Sequence, residues 1–479
     1  MPNNSIAKNA LFNLVYKGIN ILFPLITMIY VARILMPVGV GKVASAQNIV
    51  AYFVIIASLG LPTYGVKKIA ASRDSRNECS KIFSELFVIN AISTLLCSIA
   101  YLLMIIAVES FHAKIAISLI VGIQLFANFI NIDWVYQGFE DYRYIMYRNL
   151  VIKIISLIAV FIFVRNSDDY IVYALITTLS LVANYVFNIV HLPKYVSFQV
   201  YGLDIKPHIK PVLTLLAASI AIEIYTLADT TMLSFIKGDE IVGYYSNSAK
   251  CIGVVRTAVV AICAVFLPRL NYYIGNNRIV EFESLAQKGI RILLSISIPI
   301  CIALVLLADD CVLLLFGKVY FPSVLSMRIL SISIITVSLS NFFGYQILVT
   351  LGKEKIVLHS TIIGAIINVL LNLVLIRQYA HYGAAVASVI SEGVIAIYQF
   401  TQVRKCISIH LNWKFWRSLF VPSIVLFMVI CAAKYLISNS YIELIISAVV
   451  GVLAFCVTGI LFKNEFLLIL FNHIKLKTK

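Results

Sequence analysis

The sequence predicts an all-α integral membrane protein with about fourteen transmembrane helices. Apolar residues make up 61% of the chain and charged residues only 13%, whereas soluble domains average roughly 45–50% and about 25%. The mean hydropathy is +0.97. The apolar residues are also gathered into stretches of about 20 residues or more, the length at which a helix crosses the ~30 Å hydrocarbon layer of a bilayer.

Fourteen such stretches follow one another along the chain, separated by short polar connections. They cover residues 10–35, 43–66, 82–108, 115–138, 147–164, 170–192, 212–236, 247–267, 285–307, 324–351, 356–376, 383–400, 415–437 and 441–462. The first is too long for the apolar core of a cleavable signal peptide and is followed by Arg33 and Pro37 rather than by a small-residue cleavage site. The twelfth has the weakest pattern, because it is short, rich in small residues and interrupted by Glu392.

The charged residues of the connections predict the orientation. If the N-terminus is cytoplasmic, the connections and tails on that side carry 23 Lys and Arg residues, and those on the opposite side carry 7. Cytoplasmic loops of membrane proteins carry such an excess of basic residues. We therefore expect both termini to be cytoplasmic, which an even number of spans requires.

Several classes of protein are excluded by the same features. The net charge of +16 is spread over many loops, whereas a nucleic-acid-binding protein gathers its basic residues on one soluble face. The nine cysteines contain no Cys-x-x-Cys pair and lie mostly inside spans, so neither a metal site nor a disulfide framework is expected. No connection is long enough to fold into a catalytic domain, which argues against a glycan polymerase or ligase. No cofactor is expected.

Two segments in the second half of the chain resemble two segments in the first half. Residues 41–47, which open the second span, resemble residues 243–249, which open the eighth, and Gln137-Gly138 resembles Leu351-Gly352. We predict an N-terminal lobe of helices 1–6 (residues 1–205), a C-terminal lobe of helices 7–12 (206–405), and two additional helices with a cytoplasmic tail (406–479). Transporters with parallel repeats place the substrate near the bilayer midplane between the repeats, so a central cavity is expected.

Four spans carry polar side chains along one helical face. The polar residues of the first, second, seventh and eighth spans are, in order, Asn13, Lys17, Asn20 and Thr27; Ser45, Asn48 and Tyr52; Ser219, Glu223, Thr226 and Thr230; and Ser246, Lys250 and Thr257. Because an ionisable group at membrane depth costs several kcal/mol unless it faces protein or water, these faces are expected to share an interior.

Most of the candidate site residues lie on or beside these four polar faces, which we call polar stripes. The candidates for lining a substrate cavity are Asn13, Lys17, Asn20, Asn48, Tyr52, Lys250 and Arg256. The candidates for ion coupling or a structural role are Glu223, Asp229 and Glu392, since burial favours a protonated carboxyl group.

Other charged residues in or near the spans are expected to form ion pairs or to extend toward the lipid headgroups. We expect Asp133 and Lys153 to form a buried pair, or Lys153 to reach toward the headgroups, and Asp229 and Lys250 either to pair or to contact ligand. The remaining long cations near span ends, which usually extend to lipid headgroups, are Arg291, Arg328, Arg417 and Lys434.

Five short segments resemble the bacterial polysaccharide flippases of the O-antigen (Wzx) type. They are residues 30–41 (YVARILMPVGVG), 59–70 (LGLPTYGVKKIA), 229–233 (DTTML), 242–250 (VGYYSNSAK) and 266–269 (FLPR). They occur in the family's order between residues 30 and 269, and the resemblance agrees with the fourteen spans predicted over the whole chain. The family usually has Leu-Gly-Pro where this chain has Leu35-Met36-Pro37.

The resemblance implies membership of the superfamily that also contains multidrug extruders and lipid II flippases. It implies two six-helix lobes around a cationic cavity, a location in the bacterial inner membrane, and flipping of undecaprenyl-pyrophosphate-linked oligosaccharide to the outer leaflet without bond chemistry. Expected partners are that substrate, membrane lipids, and polysaccharide polymerase and chain-length proteins, but no nucleic acid. The alternative within the superfamily is a multidrug/cation antiporter, whose pocket should be acidic and aromatic rather than carry Lys17 and Arg256.

Overall fold

The computed structural model describes residues 6–437, 440–469 and 471, without the side chains of 6–11, 13, 14, 17, 21, 22, 218, 219, 221, 222, 224, 225, 440 and 441. The helices are α1 (Ile6–Ser58), α2 (Leu61–Ser72), α3 (Arg76–Ala107), α4 (Ile115–Phe126), α5 (Asp133–Gly138), α6 (Tyr142–Phe163), α7 (Tyr170–His191), α8 (Lys206–Lys237), α9 (Asp239–Ala264), α10 (Leu267–Gly275), α11 (Ile279–Leu306), α12 (Ala308–Leu315), α13 (Ser323–Ser331), α14 (Ser333–Asn341), α15 (Glu354–Val403), α16 (Trp413–Leu436) and α17 (Ser440–Leu461). A π-helical turn, Phe342–Leu348, follows α14. The described part of the chain contains no β-strand.

The predicted class, an all-α protein with many membrane spans, is confirmed. Among the described residues, 11 helical segments are long and apolar enough to cross a membrane. Two of them each contain two predicted spans, and α8 coincides with the predicted seventh span. The longest described connection without helix, residues 195–205, is too short for a further domain, as expected.

α1 contains the first predicted span and most of the second, whose last residues lie in α2, and it breaks at Met36. Met36 has φ 57° and ψ 175°, outside the helical region. The residue before a proline is disfavoured in the α conformation, and Pro37 follows Met36 directly. Only glycine adopts this combination of φ and ψ without strain, which explains why the resembling family has glycine here and why the departure at Met36 is costly.

α15 contains the eleventh and twelfth predicted spans and reverses at Ala380, which has φ 50° and ψ −128°. Across the break, a Cβ atom added to Gly383 would lie 2.2 Å from the carbonyl oxygen of Leu375. In a continuous helix, residues eight positions apart are about 12 Å apart along the axis. The chain therefore folds back on itself, and the weak twelfth span is a separate helix as predicted.

The chain divides into two compact units, Met1–Gly243 and Tyr244–Lys479. The division into two six-helix lobes, two additional helices and a central cavity stays a prediction.

In the first unit, the connections predicted to be cytoplasmic meet at one rim. The buried carboxylate of Glu85 accepts hydrogen bonds from the Asp204 backbone N–H at 2.9 Å and is 2.9 Å from Nε2 of His208. The other ring nitrogen of His208, Nδ1, is 2.9 Å from the Tyr64 hydroxyl. An apolar cluster around Trp134 packs beside this network. The network fixes the start of α8 to α2 and α3.

The connections predicted to be extracytoplasmic meet at a second rim of the first unit. The Lys114 ammonium is 2.7 Å from the Asp239 carboxylate, which also accepts a hydrogen bond from Ser45 Oγ at 3.0 Å. The Tyr30 hydroxyl donates to the Val164 carbonyl oxygen at 2.8 Å. In this unit the two sets of connections therefore contact one another at separate rims, while the assignment of one rim to the cytoplasm stays a prediction.

The second unit shows the same separation of its connections. At one rim, Asn464 Nδ2 donates to Ser295 Oγ at 3.2 Å, and the Arg291 guanidinium is 3.6 Å from the Glu465 carboxylate. At the other rim, Ser323 Oγ donates to the Tyr244 carbonyl oxygen at 3.0 Å, and Ser326 Oγ is 2.6 Å from His381 Nδ1. Arg291 was expected to reach the headgroups; it pairs with Glu465 instead, which removes the need for a lipid anion.

The first of the two internal resemblances has a structural counterpart. A Cβ atom added to Gly41 would lie 1.7 Å from the Asp239 carbonyl oxygen, and one added to Gly243 would lie 2.0 Å from the Pro37 carbonyl oxygen. Gly243 and Asp239 follow Gly41 and Pro37 at the same sequence offset. Each of the two glycines thus allows close backbone contact with the start of the other helix, and the relation between two repeats stays a prediction.

The strain at Met36 can be tested by restoring glycine. Met36→Gly is expected to raise the thermal unfolding temperature of the purified protein, because strained backbone of this kind costs about 1–3 kcal/mol. Val38→Gly is the control, since Val38 is similarly exposed but helical, and glycine there should lower stability by about 1 kcal/mol. Equal destabilisation by both substitutions would show that Met36 is not strained.

Candidate functional site

The structure places the candidate residues in three different environments. The side chains of Asn13, Lys17 and Ser219 lie outside its described part. The remaining candidates fall into three groups. One group is hydrogen-bonded between helices of the first unit: Asn20, Asn48 and Tyr52. The second consists of the carboxylates of α8 and α15: Glu223, Asp229 and Glu392. The third, Lys250 and Arg256, lies on an exposed face of α9.

The polar stripe of the second span contacts α8. Asn48 Nδ2 donates to the Leu227 carbonyl oxygen at 3.0 Å and to Thr231 Oγ1 at 2.5 Å. Thr231 Oγ1 in turn donates to the Tyr52 hydroxyl at 3.1 Å. Asn48 is buried, and a buried amide requires such partners. The structure therefore gives Asn48 and Tyr52 a helix-packing role, and their contact with substrate stays a prediction.

Asn20 lies beside a buried charged network that joins α5, α6 and α7. Asn149 Nδ2 donates to Asn20 Oδ1 at 3.1 Å. In the adjacent turn of α6, the Arg148 guanidinium is 3.0 Å from Asp133 Oδ1. The Arg148 side chain is 4% exposed and that of Asp133 is 27% exposed. The Asp133 side chain is therefore partly accessible, whereas that of Arg148 is buried.

Two asparagines complete the shell of Arg148. Its Nε donates to Asn184 Oδ1 at 3.0 Å, and Nη1 donates to Asn188 Oδ1. Asn188 Nδ2 donates to Asp133 at 2.5 Å. A buried ion pair is stable only when such additional hydrogen bonds satisfy the remaining donors and acceptors, and this one meets that condition.

Of the two alternatives for Asp133 and Lys153, the buried pair is wrong, and the extension of Lys153 toward the headgroups stays a prediction. Asp133 pairs with Arg148, and Lys153, which is half-buried, makes no ion pair with any described residue. Because Arg148 lies only a few residues from a predicted connection, it is one of the 23 basic residues assigned above to the cytoplasmic side. The available signal was the spacing of Asn184 and Asn188 four residues apart in the sixth span, which places two amides on one helical face.

The carboxylate candidates differ in burial. Glu223 is half-buried on α8, where its Oε2 accepts a hydrogen bond from Thr226 Oγ1 at 2.9 Å. Asp229 is buried on the same helix at 7% exposure, and Glu392 is half-buried on α15. Both Asp229 and Glu392 interact with other groups of the protein. Their roles in ion coupling, and the coupling of Asp229 to Lys250, stay predictions.

The polar face of α9 is open. Lys250 and Thr257 are exposed and Arg256 is half-exposed. A Cβ atom added to Gly253, which lies between them, would have no heavy atom within 4 Å. Within the described part of the chain, no acidic side chain lies within ion-pair distance of Lys250 or Arg256. We call Lys250, Gly253, Arg256 and Thr257 the cationic face.

The opposite face of α9 is packed against the protein. Cys251, Ile252, Val259 and Cys263 are all buried there. The helix is therefore held by its apolar side and presents two cations on the other. A lipid-exposed lysine or arginine at membrane depth costs several kcal/mol, so this arrangement favours water or a polar ligand against the cationic face. Among the described residues, no group of His, Cys, Asp and Glu is arranged to hold a metal ion.

Comparison with known proteins is consistent with the fold and with the segments identified in the sequence. The model of the family described as "Polysaccharide biosynthesis protein" matches residues 6–273, and the MatE family model matches residues 215–374. A Shigella dysenteriae protein described as an O-antigen transporter is 24% identical, over 83% of this chain and 100% of its own length. A Haloferax volcanii protein described as a low-salt glycan biosynthesis flippase, Agl15, is 22% identical over 50% of this chain and 51% of its own length.

Two solved structures share the fold. The lipid II flippase MurJ in an inward closed conformation superposes with a TM-score of 0.77 at 15% identity, covering 95% of this chain and 98% of the other. An inward-facing multidrug resistance MATE family transporter gives a TM-score of 0.63 at 16% identity, covering 82% and 97%. At these identities the likeness establishes a transporter-type fold and leaves the substrate open.

Arg148 belongs to the buried network and Lys153 does not, so substitutions of these two cations of α6 should differ in their effect on stability. Arg148→Met is expected to lower stability by about 3 kcal/mol, the lower end for breaking a buried pair, because it leaves the Asp133 carboxylate, which is 27% exposed, without its cationic partner. Asp133→Asn with Arg148→Met should recover part of the loss. Thermal unfolding in detergent measures both, with Lys153→Met as the control that should change little. If Arg148→Met is no more destabilised than Lys153→Met, the pair is not structural.

Proposed function

Because the chain belongs to the polysaccharide biosynthesis protein family, we propose that it flips a lipid-linked oligosaccharide across the membrane. The substrate of this proposal is an undecaprenyl-pyrophosphate-linked repeat unit, carried from the cytoplasmic to the outer leaflet. The family match over residues 6–273 and the relatives described as an O-antigen transporter and a glycan biosynthesis flippase support this class of substrate.

The cationic face of α9 is the observation that carries the proposal. Lys250 and Arg256 have no acidic partner among the described residues, and Gly253 leaves space beside them. A diphosphate is the anion that a lipid-linked sugar presents, and charge-assisted hydrogen bonds to phosphate oxygens are about twice as strong as neutral ones. Away from bulk water the attraction is strengthened further by the lower dielectric constant.

The remaining parts of the substrate match other features of the helices. Thr257 is exposed on the same face, and its hydroxyl donates to the Gly253 carbonyl oxygen at 2.8 Å. Its oxygen can therefore still accept a hydrogen bond from a sugar hydroxyl. The polyprenyl tail is apolar and remains in lipid, so no polar surface is required for it. Translocation needs binding and release but no bond cleavage, in agreement with relatives that are transporters rather than enzymes.

The cationic face also separates this proposal from its main alternative, a multidrug/cation antiporter. MATE transporters share the fold, so the fold alone does not decide between the two. A pocket for cationic drugs is expected to present carboxylates and aromatic rings, because like charges repel in a low dielectric. Two unneutralised cations on α9 favour an anionic substrate instead.

Reconstituted flipping tests the proposal directly. The wild-type protein in liposomes is expected to transfer a labelled pyrophosphate-linked oligosaccharide between leaflets, and Lys250→Ala and Arg256→Ala to slow the transfer at least tenfold each. Losing one hydrogen bond to a charged group costs about 1.5–3 kcal/mol, and 1.4 kcal/mol is tenfold. Transfer is measured by the accessibility of the sugar to an added lectin.

Lys318→Ala is the control, because Lys318 is an exposed lysine of a short connection and its loss should leave the rate unchanged. Transfer at the wild-type rate by both α9 variants would remove the cationic face from the mechanism. Transport of a cationic dye in place of the oligosaccharide would favour the antiporter.

A further inference from the structure

Several long cations outside the cationic face pair with carboxylates of the protein. In the second unit, Lys434 donates to Asp309 Oδ1 at 2.7 Å, and the Arg328 guanidinium is 3.5 Å from the same oxygen. The expectation that Lys434 and Arg328 extend to the lipid headgroups is therefore wrong. In the first unit, Lys114 pairs with Asp239 at 2.7 Å, and Lys114 also lines a cleft.

The cleft lies within the first unit, at the rim predicted to be extracytoplasmic. It is lined by residues of α1, α4, α8 and the one-turn segment Glu109–Lys114 that precedes α4. Its volume is about 90 Å³, several times the ~10–15 Å³ that a single water molecule needs. The cleft is not enclosed, so a larger molecule can insert one part into it.

Four serines line the cleft, and three of their hydroxyls are available to a ligand. Ser45 Oγ donates to Asp239 Oδ1 at 3.0 Å. The hydroxyls of Ser110, Ser118 and Ser234 make no hydrogen bond with any described residue.

Ser118 is the most informative of these serines, because it is only 2% exposed while its hydroxyl keeps access to the cleft. A buried hydroxyl without a partner costs free energy. The hydroxyl of Ser118 therefore favours a molecule in the cleft that exchanges hydrogen bonds with it.

Two aromatic rings form another wall of the cleft. The ring centroids of Phe111 and Phe235 are 6.2 Å apart, and the rings are inclined by 81°. Phe111 is buried, whereas Phe235 is 55% exposed. The face of an aromatic ring carries a partial negative charge, which attracts the weakly positive C–H groups on the face of a sugar ring. Hydroxyls beside an accessible aromatic ring thus match both the polar edge and the apolar face of a sugar.

The charge of the cleft distinguishes a neutral ligand from an anionic one. Lys114 is the one charged side chain among the described lining residues, and Asp239 neutralises it. The ammonium group has three N–H donors, so it can donate to a sugar hydroxyl while it remains paired. A phosphate group would have to compete with the Asp239 carboxylate for this cation, and a sugar hydroxyl would not.

We infer that this cleft is a binding subsite for a neutral sugar residue, which stacks on Phe235 and exchanges hydrogen bonds with Ser110, Ser118 and Ser234. The subsite consists of residues other than those of the cationic face, and it takes a different part of the substrate. That the sugar belongs to a transported oligosaccharide rests on the proposed function. The sugar specificity of the cleft itself rests on the lining residues.

Saturation-transfer NMR tests the subsite with the full-length protein in lipid nanodiscs free of sugar-based detergent. The probes are the methyl glycosides of glucose, galactose and N-acetylglucosamine, and the wild type is expected to bind at least one of them. Ser118→Ala should weaken this binding about fivefold, as the loss of one neutral hydrogen bond does. It should leave the thermal unfolding temperature unlowered, because the hydroxyl has no partner among the described residues. Failure of the wild type to bind any of the three probes would overturn the proposal.

Two further variants make the result specific to the cleft. Phe235→Ala should also weaken glycoside binding, and the exposure of this ring makes its removal tolerable for the fold. Ser156→Ala is the matched control, because Ser156 is a half-buried serine of α6 that does not line the cleft, and it should bind like the wild type. Equal affinity of the wild type, Ser118→Ala and Phe235→Ala would place the sugar elsewhere and refute the subsite.

Competition identifies the chemical class of the ligand. Inorganic pyrophosphate should not displace the glycoside, because Asp239 already neutralises Lys114; displacement would assign the cleft to an anion and overturn the proposal. The flipping assay described above separates the two proposals. Glycoside binding by a protein that does not flip the oligosaccharide would support the subsite and refute the proposed function, whereas flipping without glycoside binding would refute the subsite alone.

Discussion

The cost of placing a charge in an apolar layer governs the arrangement of nearly every polar side chain in this protein. Such a charge costs several kcal/mol unless protein or water compensates it. In the first unit, Arg148 is compensated by Asp133 and two asparagines. In the second, Lys434 is compensated by Asp309 and Asp310. Lys250 and Arg256 of α9 have no such acidic partner among the described residues, and the proposed function depends on these two cations.

The polar stripes that the sequence shows fall into two kinds in the structure. Along the second span, Asn48 and Tyr52 meet Thr231 of α8, so their hydrogen-bonding groups are satisfied between helices. Along α9, Lys250 and Arg256 lie beside open space. A neutral amide that is satisfied by a neighbouring helix stabilises packing, whereas an unneutralised cation beside open space is available for an anion. The second kind of stripe is the better candidate for substrate contact.

Much of the fold could be predicted from the sequence because hydropathy is a local property. The spans and the separate twelfth helix needed only the length and composition of each stretch, and the departure at Met36 was visible as a difference from the usual Leu-Gly-Pro. The candidate site was less predictable. The stripes of the second span and of α9 have the same helical spacing, and only the packing distinguishes them.

Pairings between distant helices were the least predictable feature. Asp133 has Lys153 and Arg148 at similar sequence distances, and the choice between them depends on how α5, α6 and α7 pack. Lys434 and Asp309, which form an ion pair, are separated by more than a hundred residues, and nothing local to either position indicates the other. Such contacts are properties of the tertiary structure, and they carry the charges that function or stability depends on.

The central claim is that the cationic face of α9 is in contact with water rather than with lipid. In a background without the other cysteines, cysteine is placed at Thr257, and a membrane-impermeant, charged thiol reagent is applied to the reconstituted protein with both sides exposed. The buried Cys251 and Cys263 of the same helix, each retained alone, provide the comparison. The account predicts that cysteine at position 257 reacts much faster than either and is protected by the pyrophosphate-linked oligosaccharide. Reaction no faster than that of Cys251, or reaction only with a lipid-soluble reagent, would contradict it.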